Sequence, residues 1–495
     1  MLIFVFKKEK NMKKRIISSL LLAAMLTSLV ACGGDDTEKD NENKDNGDEA
    51  PAGIEAAEYN LPFNIYAPDF GMYQRYFFAD DPGTDAMTKA IYEREVSVED
   101  HLGVDIGYTL TGTIQDVRPK IQELVMTGDD TYHLFLTHCI AGLSAMITEN
   151  LLYDFNKFED INLDAEYWNQ QAQDALEVNG HLFYGVSDYM LSDPNCILFN
   201  KGMIDELDLE DPYQLVRDGE WTIDKMMEMM ASATKDDGNG RWNYLDTYGL
   251  TAPNDWYCNS FTFSSEVELV TRNSDGEFEF AFDNERSYTM VEKLDQLLAG
   301  NDTWIYDYGG GNNVEGNFEN DEYVDISKGR SLFNIYNIAH LYILRDVDVD
   351  FGILPYPKLD ASQDGYYTND WSGLMCVPKT VQNTDMVGKV IELLSYYSGD
   401  TVKYAYYEIM LGEKLTRDPD SKEMLDIIFD GVSYNAGVNY FGFSDMNKLF
   451  YTPNALIMNG GGSGAFSSHL AKYQPASEAA IEQFNTDVLA LDEAE

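Results

Sequence analysis

Residues 59–68 read YNLPFNIYAP, residues 86–106 read AMTKAIYEREVSVEDHLGVDI, and residues 116–137 read DVRPKIQELVMTGDDTYHLFLT. In the first stretch apolar and polar side chains alternate, the pattern of a strand with one wetter face. Residues 69–85 form a Gly- and aromatic-rich loop, and 86–102 carries helical spacing. Gly103-Val104-Asp105-Ile106 opens a second strand. Residues 116–126 again have helical spacing, stopped by Thr127-Gly128-Asp129-Asp130, and 132–137 is a short, wholly apolar strand apart from its ends. Strand, helix, strand, helix, strand in this order predicts an α/β architecture: mostly parallel sheets with helices on both faces.

Downstream, helices are expected over 224–233, 287–299, 388–398 and 402–411, with strands over 249–252, 350–354 and 373–377. The tail at 477–489 reads as an amphipathic helix before an acidic end. No repeat of fixed period is present. A chain of 495 residues exceeds one small core and suits two lobes plus appendages. A hydrophobic share of 44% marks a globular body and not a disordered chain. The formal net charge of −52 repels phosphate backbones, so nucleic-acid partners are excluded.

Upstream the charge reverses. Lys7, Lys8, Lys10, Lys13, Lys14 and Arg15 precede an apolar run over 16–31, the layout of an export signal. Met12-Lys13-Lys14-Arg15 would open such a signal by itself. The run is short for a membrane span, which needs about 20 residues. It ends in Leu29-Val30-Ala31-Cys32-Gly33, which resembles a bacterial lipobox, and this implies that Cys32 is acylated and holds the protein at the outer face of the membrane. Residues 33–58 are almost all Asp, Glu, Asn, Lys, Gly and Ala, a flexible tether. Cys139, Cys196, Cys258 and Cys376 have no metal-ligand spacing and read as buried thiols. Export permits a disulfide among them, with three pairings open.

Several phrases, in order, resemble extracellular solute-binding protein family 1, the group that serves carbohydrate ABC importers. Tyr92-Glu93-Arg94-Glu95 through Leu102-Gly103-Val104 is similar to its opening helix. Asp130-Thr131-Tyr132-His133-Leu134-Phe135 and Asn150-Leu151-Leu152-Tyr153-Asp154-Phe155 follow. Leu182-Phe183-Tyr184-Gly185-Val186, then Leu198-Phe199-Asn200-Lys201, is the strongest match, with Val186 where the family has proline. Glu210-Asp211-Pro212-Tyr213 and Gly219-Glu220-Trp221-Thr222 come next, the threonine capping a new helix. Gly329-Arg330-Ser331-Leu332-Phe333, Asp350-Phe351-Gly352, Leu354-Pro355-Tyr356-Pro357 and Val377-Pro378-Lys379-Thr380 complete the order.

The resemblance implies a type II-like periplasmic-binding-protein fold, two α/β lobes joined by two or three hinge crossings, with the ligand sealed between them. Expected boundaries are a signal over 1–31, a tether over 32–58, a first lobe from 59–187 and 326–358, and a second from 188–325 and 359–495. It further implies a monomeric, non-enzymatic, extracytoplasmic lipoprotein that binds a sugar or short oligosaccharide without a cofactor and meets the ABC permease subunits.

Sugars present polar rims and apolar faces, so their sites combine aromatic platforms with Asp, Asn and Glu. In loops at strand ends that mixture occurs at Asp69, Tyr73 and Arg75, at His138 after the 132–137 strand, and at Asp188 and Tyr189 after the 182–186 segment. It recurs at Asp255 and Trp256, and at Asp370 and Trp371. Each has a competing reading as a surface loop or core-packing position, and Trp168, Trp221, Trp242 and Trp304 fit structural roles better. Asp237, Asn239 and Asp246 outline a truncated calcium loop, spoiled by Lys235 at the first ligand position. No metal is expected.

Two rival readings use the same residues. A glycoside hydrolase needs two carboxylates facing one bond, and with 86 acidic residues coincidental pairs are unavoidable. No serine nucleophile elbow, P-loop or HExxH phrase occurs, and the glycine clusters at 309–311 and 460–462 lack the context of phosphate cradles. A carbohydrate-binding surface lipoprotein outside transport is the other rival, and it would lack a closing hinge.

Overall fold

The structure, a computed structural model, describes residues 50–69, 73–240, 242, 245–252, 255–300, 302–305, 324–344, 347–370, 373–407, 418–442, 446–452, 456–457 and 461–493. The export signal, Cys32 and the tether up to residue 49 lie outside them.

In chain order the strands are β1 Leu61–Ala67, β2 Val104–Leu110, β3 Leu134–Thr137, β4 Asn195–Asn200, β5 Tyr248–Ala252, β6 Val270–Arg272, β7 Phe278–Phe280, β8 Thr303–Ile305, β9 Ser331–Asn337, β10 Phe351–Leu354, β11 Thr368–Asn369, β12 Leu374–Cys376 and β13 Val432–Ser433. The longer helices are α1 Ala86–Leu102, α2 Val117–Thr127, α3 Ile223–Ala233, α4 Glu285–Leu298, α5 Thr384–Asp400, α6 Pro419–Asp430 and α7 Phe466–Glu493.

Local chemistry sets the boundaries. Asp85 caps α1 by accepting from the Thr88 amide at 2.9 Å. Gly103 ends it at φ +61°, where an added Cβ would lie 2.9 Å from the Glu58 Cα, so both the backbone conformation and the close approach require glycine. The expected threonine cap is present: Thr222 Oγ1 accepts from the Lys225 amide at 3.3 Å and starts α3. α7 begins at Phe466, well before the expected 477, and carries Pro475 inside it. The proline leaves a carbonyl unpaired in the preceding turn, and the Ser477 hydroxyl donates to the Tyr473 carbonyl at 3.1 Å beside it.

Two larger sheets form, in the orders β12-β3-β1-β2 and β10-β4-β9-β5-β8, with the two-stranded sheets β11-β13 and β6-β7 beside them. β1 runs parallel to β2 and β3, while β12 is antiparallel to β3. In the second sheet β5 is parallel to β8 and β9, and β4 runs against β9 and β10. The mixed α/β class holds, with two parallel pairings to one antiparallel in the first sheet and two of each in the second.

The lobe boundaries require correction. β9 and β10, inside the 326–358 segment expected in the first lobe, belong to the second sheet, and β12, expected in the second lobe, closes the edge of the first. The hydrophobic period says that a strand exists, not which sheet takes it. The chain stays in the second lobe from β4 to β11 and crosses back between β11 and β12. α5 then packs on α1 in the first lobe and α6 on β10 in the second, so a third passage lies between Asp400 and Asp418. The 182–186 segment joins no named strand and makes one isolated bridge, Gly185 to Met375.

Away from the crossings a second contact ties the lobes. α7 packs on β7 and on the short helix Leu143–Thr148 of the first lobe. There Phe278, Tyr440, Phe441 and Phe484 form an aromatic cluster, with Tyr440 and Phe484 centroids 5.6 Å apart and Phe441 and Phe484 5.3 Å apart. The Tyr440 hydroxyl donates to the Leu176 carbonyl, and Arg272 donates to the Asp174 carbonyl at 3.2 Å. Cys139, Cys196, Cys258 and Cys376 are buried and form no disulfide among the described residues, and burial pushes the Cys139, Cys196 and Cys376 thiols far up. Among the described residues no helix is long and apolar enough to cross a membrane.

Candidate functional site

The register shows where the sheets face each other. β12 enters the first sheet with Leu374 opposite Thr137, the last residue of β3, and β4 enters the second with Asn195 opposite Asn337, the last residue of β9. Each lobe is therefore approached from the carboxyl ends of its parallel strands, the edge at which open α/β sheets hold ligands. The two crossings run side by side there, bridged at Pro194 and Asp370.

A polar network fixes them. Asp370 accepts from Ser192 Oγ at 2.8 Å, from the Asp193 amide at 2.9 Å and from the Tyr434 hydroxyl at 3.0 Å. The Asp193 carboxylate accepts from the Ala339 amide at 3.1 Å. Removal of water around Asp193, then repulsion from Asp370, pushes its carboxyl up to about 7. Asn195 Nδ2 donates to Ser260 Oγ at 2.8 Å, and Ser260 Oγ donates to Asn369 Oδ1 at 2.6 Å. Asn337 Nδ2 donates to Asn195 Oδ1 at 3.3 Å.

Three buried polar atoms at these strand ends have no hydrogen-bond partner among the described residues: Asn337 Oδ1, Asn369 Nδ2 and Thr137 Oγ1. They terminate or border β9, β11 and β3, so both sheets contribute. Leaving such an atom unpaired costs about 1–3 kcal/mol, and a hydroxyl-rich ligand in the gap would remove that cost.

The structure brings only some of the sequence-derived candidates to this place. Asp370 is central, as a brace for the crossings. Tyr73 is buried, its hydroxyl donating to the Thr137 carbonyl at 2.7 Å; an added Cβ on Gly373 would meet that hydroxyl at 2.4 Å, so loop, strand end and second crossing meet there. Asp69 is exposed after β1, with its amide on the Gly112 carbonyl. His138 is buried after β3 and caps the turn, its Nδ1 accepting from the Ile140 amide at 3.3 Å. Arg75 lies on the short helix Tyr73–Tyr76 after β1, and Asp255 and Trp256 lie on Asp255–Cys258 after β5. Trp371 falls outside the described residues.

Asp188 and Tyr189 do not form the expected polar pair. Tyr189 turns into the first lobe, its hydroxyl 2.8 Å from that of Tyr108 and the Arg94 guanidinium 4.7 Å from its ring centre. Asp188 turns the other way, to Lys403 at 2.7 Å. The tryptophans read as structural behave so where described: Trp168 donates to Glu392 at 3.0 Å and Trp221 to the Pro355 carbonyl at 2.9 Å. At the truncated calcium loop, carboxylates of Asp236, Asp237 and Asp246 lie within 4.8 Å of one another. Asp237 accepts from the Asn239 amide at 2.9 Å and Asp246 from the Asp237 amide at 2.7 Å, so these carboxylates already brace the turn.

Asn337, Asp193, Ser260 and Tyr434 were not singled out from sequence. Asn337 left a faint signal: an amide closing the run SLFNIYN, in which Ser331 and Asn334 are also polar. Asp193 and Tyr434 left none, because their importance depends on Asp370 arriving from a distant crossing.

No family model matches the chain, and no curated protein does. Solved structures share its fold. The cyclic α-maltosyl-1,6-maltose binding protein of Arthrobacter globiformis superposes at a TM-score of 0.55 and 12% identity, over 86% of this chain and 98% of its own. The GacH receptor of Streptomyces glaucescens, solved unliganded and with acarbose, gives 0.54 and 11%, over 86% and 99%. An ABC substrate-binding protein of Listeria monocytogenes in complex with cycloalternan gives 0.51 and 13%, over 88% and 99%. With its two sheets opposed across paired crossings, the chain has the two-lobed α/β fold of the sugar-binding ABC solute-binding proteins.

Proposed function

We propose that this protein is the extracytoplasmic, lipid-anchored substrate-binding component of a bacterial ABC importer and captures a sugar or short oligosaccharide between its lobes. The observation that carries the reading is the set of unpaired buried polar atoms, Thr137 Oγ1 on one sheet and Asn337 Oδ1 and Asn369 Nδ2 on the other lobe's strands, all at opposed strand ends. A polyol supplies hydroxyls that donate and accept to both sides at once, so it stabilises the closed pair of lobes. The sugar complexes among the structural neighbours support the ligand class. The basic, apolar and Cys32 segments of the sequence support export and anchoring. We read the site as one that binds without turnover, because the Asp370 carboxylate is taken up by Ser192, the Asp193 amide and Tyr434 in bracing the crossings.

A thermal-shift screen of mono- and oligosaccharides tests this. A specific saccharide at roughly 100 times its dissociation constant adds about 2.7 kcal/mol to unfolding. A panel in which every saccharide fails while a peptide or polyamine stabilises the protein would refute the substrate class. Release of chromophore from aryl glycosides would refute the non-enzymatic reading.

A further inference from the structure

We propose that a cavity of about 620 Å³ beside the crossings is a second binding site, separate from the interlobe gap, for a small organic cation of the alkylammonium kind. Its walls are the first crossing from Val186 to Ser192, residues 403–407 after α5, residues 426–434 from the end of α6 through β13, and the 166–169 turn. Among the described residues the loops after β1, β3, β5 and β9 do not line it, and it touches the polar network of the crossings through Ser192 and Tyr434, both bonded to Asp370.

Its chemistry is that of a cation cage. Tyr167, Tyr406, Tyr407, Phe429 and Tyr434 supply aromatic faces and edges, and ring quadrupoles attract positive charge. Glu166, Asp188, Asp426 and Asp430 supply four carboxylates, and the only basic side chain among the described lining residues, Lys403, is committed to Asp188 at 2.7 Å. The Tyr407 hydroxyl donates to Asp426 at 2.6 Å, which ties a ring to an acid at the rim. Tyr406, 3% exposed, has a buried hydroxyl with no partner and stands edge-on to Tyr76 at 5.2 Å, joining this cavity to the loop after β1. A neutral ligand gains only the rings, whereas a cation gains the rings and the acids together.

Both lobes contribute walls, so an occupant resists relative motion of the crossings. Its affinity and that of a ligand in the gap are then linked, each changing the other by the same factor.

Isothermal titration of the protein with choline and with its uncharged isostere 3,3-dimethylbutan-1-ol tests the site. One choline per chain should bind, more weakly as salt rises, and the isostere should give no heat. Tyr407→Leu and Asp430→Asn should each weaken choline by about tenfold or more with the thermal midpoint unchanged. Should Tyr407→Leu fail to fold, Asp430→Asn, at an exposed helix end, decides. Absence of choline heat at millimolar concentration, equal binding of the isostere, unchanged affinity in the variants, or one-for-one displacement of choline by a neutral saccharide would each overturn the proposal. Saccharide capture in the gap stands or falls separately, on the thermal-shift panel.

Discussion

Two contacts hold the lobes together, and they are built from opposite materials. At the crossings the contact is polar: Asp370 gathers three donors, Asp193 and Asn195 extend the chain of bonds, and some partners are missing. At the clasp it is apolar: Phe278, Tyr440, Phe441 and Phe484 pack to the near-complete exclusion of water. Directional bonds fix a geometry and are sensitive to charge, while ring packing supplies area without specifying an angle. Under the proposed function the clasp is therefore the stabilising contact and the crossings the one expected to respond to a ligand.

The largest expected effect separates them. Phe484→Ala leaves a cavity in the clasp and should cost about 3–5 kcal/mol in chemical denaturation, while saccharide stabilisation survives. A loss below about 1 kcal/mol would mean that the clasp repacks or contributes little. Asp370→Ala should cost less, about 2–3 kcal/mol, because the Ser192, Asp193 and Tyr434 donors lose a charged acceptor. It should also abolish the saccharide response, which a clasp variant does not.

Charge sharpens the contrast further. An unfolded aspartate ionises near 3.8, while Asp193 keeps its proton up to about 7. The folded state thus binds more protons in that window, so the Asp193 contribution makes stability fall as pH rises through it and level off above. Denaturation of parent and Asp193→Asn across pH 4–8 should show the variant gaining stability relative to the parent toward pH 7 and above. Parallel curves would place the Asp193 pKa at its ordinary value.

How much of this was legible in sequence follows the same divide. α1 and α3 were readable because the signals are local: a cap at Asp85 or Thr222, a glycine at 103, a 3.6-residue period. The lobe assignment of 326–376 was not, since β9, β10 and β12 look alike as apolar runs and differ only in which sheet accepts them. α7 was cut short because Pro475 normally ends a helix, and the packing of Phe466, Leu470, Phe484 and Val488 outweighs that penalty. At the site, Asp370 was visible and Asn337 faintly so. Tyr189 misled, because a tyrosine following a crossing turns inward or outward according to its contact with Arg94, which lies far away in the chain.

The smallest stability effect is expected at Thr137→Val. Its hydroxyl bonds nothing in the protein, so unfolding should stay within about 1 kcal/mol of the parent, while saccharide affinity falls about fivefold to tenfold.

Hydrogen exchange read by mass spectrometry, with and without a stabilising saccharide, probes the two-sided capture most directly. Slowed amides should cluster at 134–138 on one sheet and at both 331–339 and 368–370 on the other side, with the clasp around 437–442 unchanged. Protection confined to one lobe, or spread evenly over the chain, would contradict a ligand held between the opposed strand ends.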